Sequence, residues 1–204
     1  MHELVAGKGR TVYHVCGGEQ SPAVYWIRDR EAGGILVNTP VFDGGLAAEL
    51  VAAGGVDFLF LPSARGGADL DQWRDALGAE ALAGQDEVQR IPGEVDRPLD
   101  GTIRLSRNIR FYTMSGRTPG STALYFKHWP SMLFLGPVLE PGGDGWPTLI
   151  PHHDDWSWEN RVMGALGLQD LRFEYVFTDH LDPDTRIGPG AAQGVKAALK
   201  RFYA

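Results

Sequence analysis

Cysteine is nearly missing from this sequence: Cys16 is the only one, so the chain cannot form an internal disulfide. Because small secreted domains usually depend on disulfides, this lack favours a cytoplasmic location. The segment 1–10 lacks the apolar core of a signal peptide, which supports the same expectation. No apolar run reaches the roughly 18 residues that a membrane-spanning helix needs, so no membrane span is expected.

Positive charge is also in deficit. Lys and Arg number 19 against 26 Asp and Glu, which gives a formal net charge of −7. An acidic chain has no general attraction for nucleic acid or for acidic membrane surfaces. We therefore expect neither nucleic acid nor a membrane among the partners.

The residues that are present are typical of one globular domain. A length of 204 residues with 43% hydrophobic side chains is enough for a substantial core, so we predict a single domain over residues 1–204. The 27 glycines and 13 prolines favour many short strands joined by tight turns.

The order of apolar and turn-forming segments predicts an α/β (α+β) protein with mixed sheets. In the first half we predict a hairpin (11–16 and 23–28), strands (33–40, 56–62 and 79–84) and helices (44–54 and 69–77). In the second half we predict a strand pair (101–114), a hairpin (121–128 and 131–137), a long loop (140–157), a strand (173–180) and helices (156–167 and 188–204). Consecutive antiparallel strands in the middle argue against a doubly wound parallel sheet.

Several segments, taken in order, resemble the metallo-β-lactamase superfamily. The most specific are "SGRTPGSTALYF" (115–126), similar to the family's G-H-T-P-G-S stretch, and "LFLGPVLEP" (133–141), similar to its L-F-x-G-D stretch. The weaker ones are "GGILVNTP" (33–40), "VDFLFLPSARGGADL" (56–70), "VFTDHLDP" (176–183) and "GPGAAQGVKAALKR" (188–201). The resemblance covers the chain from Val12 onward. It implies a four-layer αββα sandwich of two mixed sheets, a dinuclear metal site at one edge, and metal-assisted hydrolysis.

The chain departs from this family where the chemistry would take place. Aligned with the family's ligand motifs, the ligand places hold Ser63, Arg65, Gly67, Ala68, Arg117, Pro137 and His180, and Asn38 stands where the family has an Asp in the turn that ends its strand. Only His180 keeps a side chain of the family's ligand type at its place. An arginine stays protonated and has no lone pair to donate, whereas a catalytic zinc usually needs three protein ligands. We therefore expect no metal and no other cofactor, and we assign no catalytic residue.

Three hypotheses for the function remain open. Only the second makes the protein an enzyme, and the missing metal ligands favour a protein that is not one. In the first, Ser63, Arg65, Arg117 and His180 line a degenerate cleft that binds a small anionic ligand or a protein. In the second, the chain is a metal-dependent hydrolase with a rebuilt mononuclear site for zinc or another divalent metal, formed by His180 and the loop 152–155. The candidate ligands there are His180, His152, His153 and Asp154. In the third, the protein is a structural or oligomeric scaffold whose cleft is closed by Arg–Asp pairs.

Each group of candidate functional residues also has a purely structural interpretation. The two arginines can form internal ion pairs, for which the candidate partners are Asp43, Asp69, Asp154 and Asp155. The "HHDD" loop can be a polar connection in which Asp155 or Ser157 caps the next helix. Three tryptophans near that loop can line a ligand pocket or a dimer surface, or form a small core of their own: Trp146, Trp156 and Trp158. A homo-oligomer is left open.

Overall fold

The first sheet combines an antiparallel and a parallel half. The computed structural model describes residues 1–101 and 103–202. The sheet has seven strands in chain order: β1 His2–Ala6, β2 Arg10–Cys16, β3 Val24–Asp29, β4 Gly33–Val37, β5 Phe58–Leu61, β6 Glu80–Gly84 and β7 Arg97–Leu99. Strands β1 to β4 pair antiparallel, and β4 to β7 pair parallel.

The second sheet is smaller and also mixed. The remaining strands are β8 Ile109–Thr113, β9 Thr122–Phe126, β10 Met132–Phe134, β11 Glu140–Pro141, β12 Pro147–Thr148 and β13 Tyr175–Phe177. Four of them form this sheet in the order β13-β10-β9-β8, with β13 parallel to β10 and the other pairs antiparallel. Strands β11 and β12 make a separate antiparallel pair.

Four α-helices cover the two outer faces of the sheets. They are α1 Gly44–Ala53, α2 Leu70–Leu77, α3 Trp158–Leu166 and α4 Ala191–Leu199. Side-chain caps begin two of them: the Asp43 carboxylate accepts from the first amides of α1, and the Ser157 hydroxyl accepts from Asn160 N in α3. Shorter 3-10 turns lie at Ala64–Gly66, Gln85–Arg90, Gly167–Asp170 and Lys200–Phe202.

Three apolar clusters separate four layers. Between the sheets lie aromatic side chains from both, among them Tyr25, Phe60 and Phe134. Under α1 and α2, the first sheet contributes alternate residues such as Trp26. On the far side, the second sheet packs through Leu133 against α3 and α4. Because side chains alternate along a strand, each sheet supplies both of its faces to a core. The predicted four-layer αββα sandwich is confirmed.

Most predicted elements are present, and their ends differ by a few residues. Two edge strands, β1 and β7, were not predicted. The predicted strand pair at 101–114 is one strand, β8, together with an isolated bridge between Arg104 and Arg110; Thr102 lies outside the described residues. The loop 140–157 contains β11 and β12. The closing helix, predicted over 188–204, is α4 and a 3-10 turn, and Tyr203 and Ala204 lie outside the described residues.

The described helices include none that is long and apolar enough to cross a membrane.

Asn38 links the two sheets at the edge where β4 ends. Its amide nitrogen donates to Ala23 O and to Asp179 Oδ1, both at 2.9 Å. Its backbone is left-handed with φ of 63°, a conformation that asparagine tolerates better than most residues. A side chain at Gly66 would collide with this amide, since an added Cβ would lie 1.8 Å from Asn38 Oδ1. The absence of a side chain at Gly66 therefore makes room for the inter-sheet link.

Asp179, the partner of Asn38 in the segment after β13, is a buried carboxyl. Burial raises its pKa from 3.8 to about 6, although the Asn38 hydrogen bond acts in the opposite direction. A folded-state pKa above the unfolded one means that the native protein binds more protons between these two values. The charged carboxylate therefore lowers stability above about pH 6, and protonation relieves this cost as the pH falls.

We expect Asp179→Asn to raise the free energy of unfolding at pH 8, because its amide oxygen can still accept from Asn38 and carries no charge. The gain should be at most roughly 3 kcal/mol and should disappear near about pH 4, as measured by urea denaturation. Asp75→Asn, at an exposed position of α2, serves as the control. An equal gain at both pH values would show that ionisation of Asp179 is not the cause.

Candidate functional site

A cavity of about 250 Å³ opens where loops from both sheets meet, and we call it the cleft. It is lined by Glu19, Gln20, Ser21, Pro22, Arg65, Arg117, Pro137, Glu140, His152, Asp179 and His180. Three of the four residues predicted for a degenerate cleft, Arg65, Arg117 and His180, are therefore brought together. The fourth, Ser63, is not among the lining residues.

Ser63 has a structural position below the cleft. Its side chain is fully buried, and its hydroxyl accepts from Arg65 N at 3.3 Å, which begins the 3-10 turn. The next amide, Ala64 N, donates to Glu87 Oε2 at 2.7 Å, and Gly120 N donates to the other oxygen of Glu87 at 2.8 Å. The fully buried Glu87 therefore ties together the two turns that carry Arg65 and Arg117. Nothing in the sequence around Glu87 indicated this role.

Arg65 and Arg117 differ in their partners. Arg117 has a side chain only 5% exposed, and its Nη1 lies 2.9 Å from Asp154 Oδ1 and 3.3 Å from Asp155 Oδ1. Arg65 is exposed, and its guanidinium forms no hydrogen bond or ion pair with any residue that the structure describes. The ion-pair interpretation is thus right for Arg117 and does not hold for Arg65.

The proposed partners of the arginines divide accordingly. Asp154 and Asp155 pair with Arg117, and this guanidinium holds the pKa of Asp154 below its usual value. The other two candidates have local tasks. Asp43 caps α1, and Asp69 accepts from Phe42 N at 2.9 Å.

Arg161, which the sequence analysis missed, is a fully buried charge that contacts residues lining the cleft. Its side chain has no exposed surface and donates to three backbone carbonyls, of Pro137, Val138 and Ile150, at 2.7 to 3.2 Å. It also pairs with Asp155 Oδ1 and Glu140 Oε1, both at 3.0 Å. Its sequence context, "WENRVMGAL", gave no signal, since an arginine on an amphipathic helix usually faces solvent.

The turn at Gly116 allows α3 to approach this closely. Gly116 has φ of 142°, and an added Cβ would lie 2.3 Å from Arg161 N. Its carbonyl also accepts from Ser157 N at 2.9 Å, just before the helix begins. A glycine is therefore required where the turn carrying Arg117 meets the helix carrying Arg161.

Glu140 is the second residue that the sequence analysis missed. Its Oε1 lies 2.7 Å from His152 Nε2, and its Oε2 lies 3.5 Å from His180 Nε2. Burial, more than any neighbouring charge, lowers the pKa of His180 and so favours the neutral ring at neutral pH. Glu140 thus connects Arg161 with both histidines that line the cleft.

The "HHDD" loop is a polar connection that contributes one side chain to the cleft. His152 faces Glu140, whereas His153 is exposed and does not line the cavity. Asp155 accepts from His152 N at 3.1 Å and from Arg161, and Ser157 caps α3. The capping interpretation is therefore right for Ser157.

The tryptophans near this loop have separate environments. Trp146 and Trp158 pack against the core below α3 and α4. Trp156 is 54% exposed and does not line the cleft. The core interpretation thus holds for Trp146 and Trp158.

The residues present do not fit the metal centre that this fold implies. Two of the implied ligand places carry guanidinium groups, which cannot donate a lone pair. Within residues 1–101 and 103–202, no group of three or more His, Cys, Asp or Glu side chains is placed to hold a metal ion. Of the four ligands considered for a rebuilt site, only His152 and His180 lie close together, on either side of the Glu140 carboxylate. Asp154 pairs with Arg117, and His153 is exposed and does not line the cavity.

Comparison with known proteins identifies the fold by structure alone. No family model and no curated protein matches the sequence. The metallo-β-lactamase SMB-1 bound to 2-mercaptoethanesulfonate matches with a TM-score of 0.68 and 13% identity, over 100% of this chain and 95% of that chain. A Cronobacter sakazakii metallo-β-lactamase with an HARLDQ motif gives 0.67 and 13%, over 100% and 93%. BJP-1, a subclass B3 metallo-β-lactamase of Bradyrhizobium japonicum, gives 0.65 and 13%, over 100% and 92%.

Identities this low establish the fold and leave the activity open. This chain has the metallo-β-lactamase fold that its sequence segments predicted.

Proposed function

We propose that this protein binds a small ligand through an anionic group in the cleft and does not carry out metal-dependent hydrolysis. The observation that supports this most directly is Arg65. Its guanidinium is exposed at the cavity, forms no hydrogen bond or ion pair within the described residues, and interacts with Asp154 and Asp179 only through their charges. A guanidinium in this situation is suited to a carboxylate or a phosphate, which it can hold with two parallel hydrogen bonds.

Other residues that line the cleft constrain the rest of the ligand, because they present the carboxyl groups of Glu19, Glu140 and Asp179. An anion without any hydrogen-bond donor would be repelled there, whereas hydroxyl groups, including the O–H of a hydrogen phosphate, or ammonium groups would find acceptors. A cavity of about 250 Å³ suits a metabolite-sized molecule. We therefore propose a small anion that also carries hydrogen-bond donors.

The first prediction from this proposal concerns the metal content. After incubation with zinc, manganese and iron, the protein purified without an affinity tag should retain less than about 0.1 equivalent of each, as measured by mass spectrometry. The reason is the donor set of the cleft, where guanidinium groups take the place of lone-pair donors. About one tightly held equivalent, lost in His180→Ala, would instead support a rebuilt mononuclear hydrolase site that includes His180.

The second prediction concerns anion binding. Phosphate titrated by calorimetry should bind to the wild type and about tenfold more weakly to Arg65→Ala, because one charge-assisted pair is lost. Asp154→Asn should strengthen binding, since it removes an exposed carboxylate from Arg117 and keeps the buried Asp155 partner. Arg107→Ala removes an exposed arginine that does not line the cleft and should change nothing.

A scaffold with a closed cleft is the second candidate, because Arg117 is already paired with Asp154 and Asp155. The same titration separates the two candidates. Equal, weak phosphate binding by the wild type, Arg65→Ala and Asp154→Asn would contradict the ligand-binding proposal and favour the scaffold.

A further inference from the structure

A second and larger cavity, of about 390 Å³, lies at the other end of the sandwich, and we call it the distal cavity. It is formed by the β1–β2 turn, the β3–β4 turn, and the β9–β10 hairpin with Trp129 at its tip. Strand β3 runs from beside Pro22, which lines the cleft, to Asp29, which lines the distal cavity. Six residues of strand span about 20 Å, so the two cavities are separate.

Trp129 is displayed at this cavity and not packed into a core. Its side chain is 69% exposed, the largest fraction among the described tryptophans. Its backbone is left-handed with φ of 69°, a conformation that costs free energy for a bulky residue. An exposed indole held in an unfavourable backbone conformation gains nothing from burial, which points to a role in contacting another molecule.

A buried arginine fixes the backbone on both sides of Trp129. Arg10 Nη1 donates to His128 O at 2.9 Å and to Pro130 O at 3.0 Å. The guanidinium of Arg10 is itself held by Asp29 at 2.6 Å and lies 3.7 Å from the centre of the Phe126 ring. The hairpin tip is therefore held in place before any ligand arrives.

The β1–β2 turn supports the same hairpin tip from outside. An added Cβ at Gly7 would lie 2.5 Å from Pro130 Cδ and 3.0 Å from Trp129 O. Only a residue without a side chain lets the two turns meet at this distance. The floor and one wall of the distal cavity are thus preformed.

Around the distal cavity, the carboxylates have hydrogen-bond or ion-pair partners, whereas two cations do not. Its carboxylates are engaged: Asp29 pairs with Arg10, and Glu31 accepts from Ser106 Oγ and Asn108 Nδ2, both at 2.8 Å. These two hydrogen bonds lower the pKa of Glu31. Its exposed cations, Lys8 and Arg30, form no ion pair with any residue in the described part of the chain. Glu31 stays ionised and feels the charge of Arg30, so the charged side chains that line this cavity leave one excess positive charge next to an exposed indole.

We propose that the distal cavity is a second binding site, which takes a planar aromatic ring carrying one phosphate or carboxylate group. The ring stacks on Trp129, with the His128 ring 6.3 Å away from the indole as a second aromatic wall. The anionic group binds Lys8 and Arg30. The two contributions are of different kinds, so a probe with both groups binds more tightly than a probe with either one alone.

Calorimetry with phenyl phosphate, phenol and inorganic phosphate tests this proposal on the full chain. Phenyl phosphate should bind saturably, and phenol and phosphate at least about tenfold more weakly at this site. Trp129→Leu and the double variant Lys8→Ala/Arg30→Ala should each weaken phenyl phosphate binding about tenfold. Trp156→Leu is the matched control, because Trp156 is an exposed tryptophan outside the distal cavity, and it should leave binding unchanged.

Arg65→Ala separates this proposal from the one made for the cleft. The distal site should bind phenyl phosphate equally well in this variant, whether or not phosphate binding in the cleft is lost. Loss of phenyl phosphate binding in Arg65→Ala with full binding in Trp129→Leu would place the ligand in the cleft and overturn the distal site. No saturable binding by the wild type would overturn it as well. Because the substituted side chains are exposed, circular dichroism should confirm that each variant folds.

Discussion

Arg161 is a buried cation on which the whole wall of the cleft depends. A charge without exposed surface is tolerated only when fixed dipoles and counter-charges replace water, and here three carbonyls and two carboxylates do so. These groups come from the segment after β10, from the loop before α3 and from β11. One guanidinium therefore holds three segments in register. The two carboxylates that bind Arg161 also contact residues lining the cleft. Asp155 pairs with Arg117, and Glu140 contacts His152 and His180.

The acidic residues beside the cleft form a cluster that is held together by arginines. Asp154, Asp155 and Glu140 would repel one another if they were left unpaired. Arg117 and Arg161 supply the compensating charge, and they supply it without a lone pair or an open coordination position. A guanidinium can neutralise and orient carboxylates, but it cannot polarise a bound water as a Lewis acid does. The two arginines therefore supply the charge balance that holds this acidic cluster in place.

The fold could be predicted from the sequence more completely than the residues of the candidate site. Glycines, prolines and short apolar runs predicted the central strands and the four helices. The edge strands β1 and β7 were not predicted, because both are partly polar and β7 contains Pro98. Within the site, Arg117 and the 152–155 loop were predictable since they lie in segments with a recognisable order. Glu87, Glu140 and Arg161 were not, because most of their partners lie 11 to 40 residues away and their local patterns are those of ordinary surface charges.

The two ends of the sandwich share one structural feature, a buried arginine–aspartate pair, but the residues around it differ. At each end a buried arginine pairs with a buried aspartate and donates to backbone carbonyls: Arg161 with Asp155, and Arg10 with Asp29. The residues beside these two arginine–aspartate pairs differ. The cleft places the exposed guanidinium of Arg65 near several carboxyl groups, whereas the distal cavity places Lys8 and Arg30 beside an exposed indole. Strand β3 spans about 20 Å between the two cavities. We therefore propose that each cavity takes its own class of ligand, a small anion with hydrogen-bond donors in the cleft and a flat anionic ring in the distal cavity.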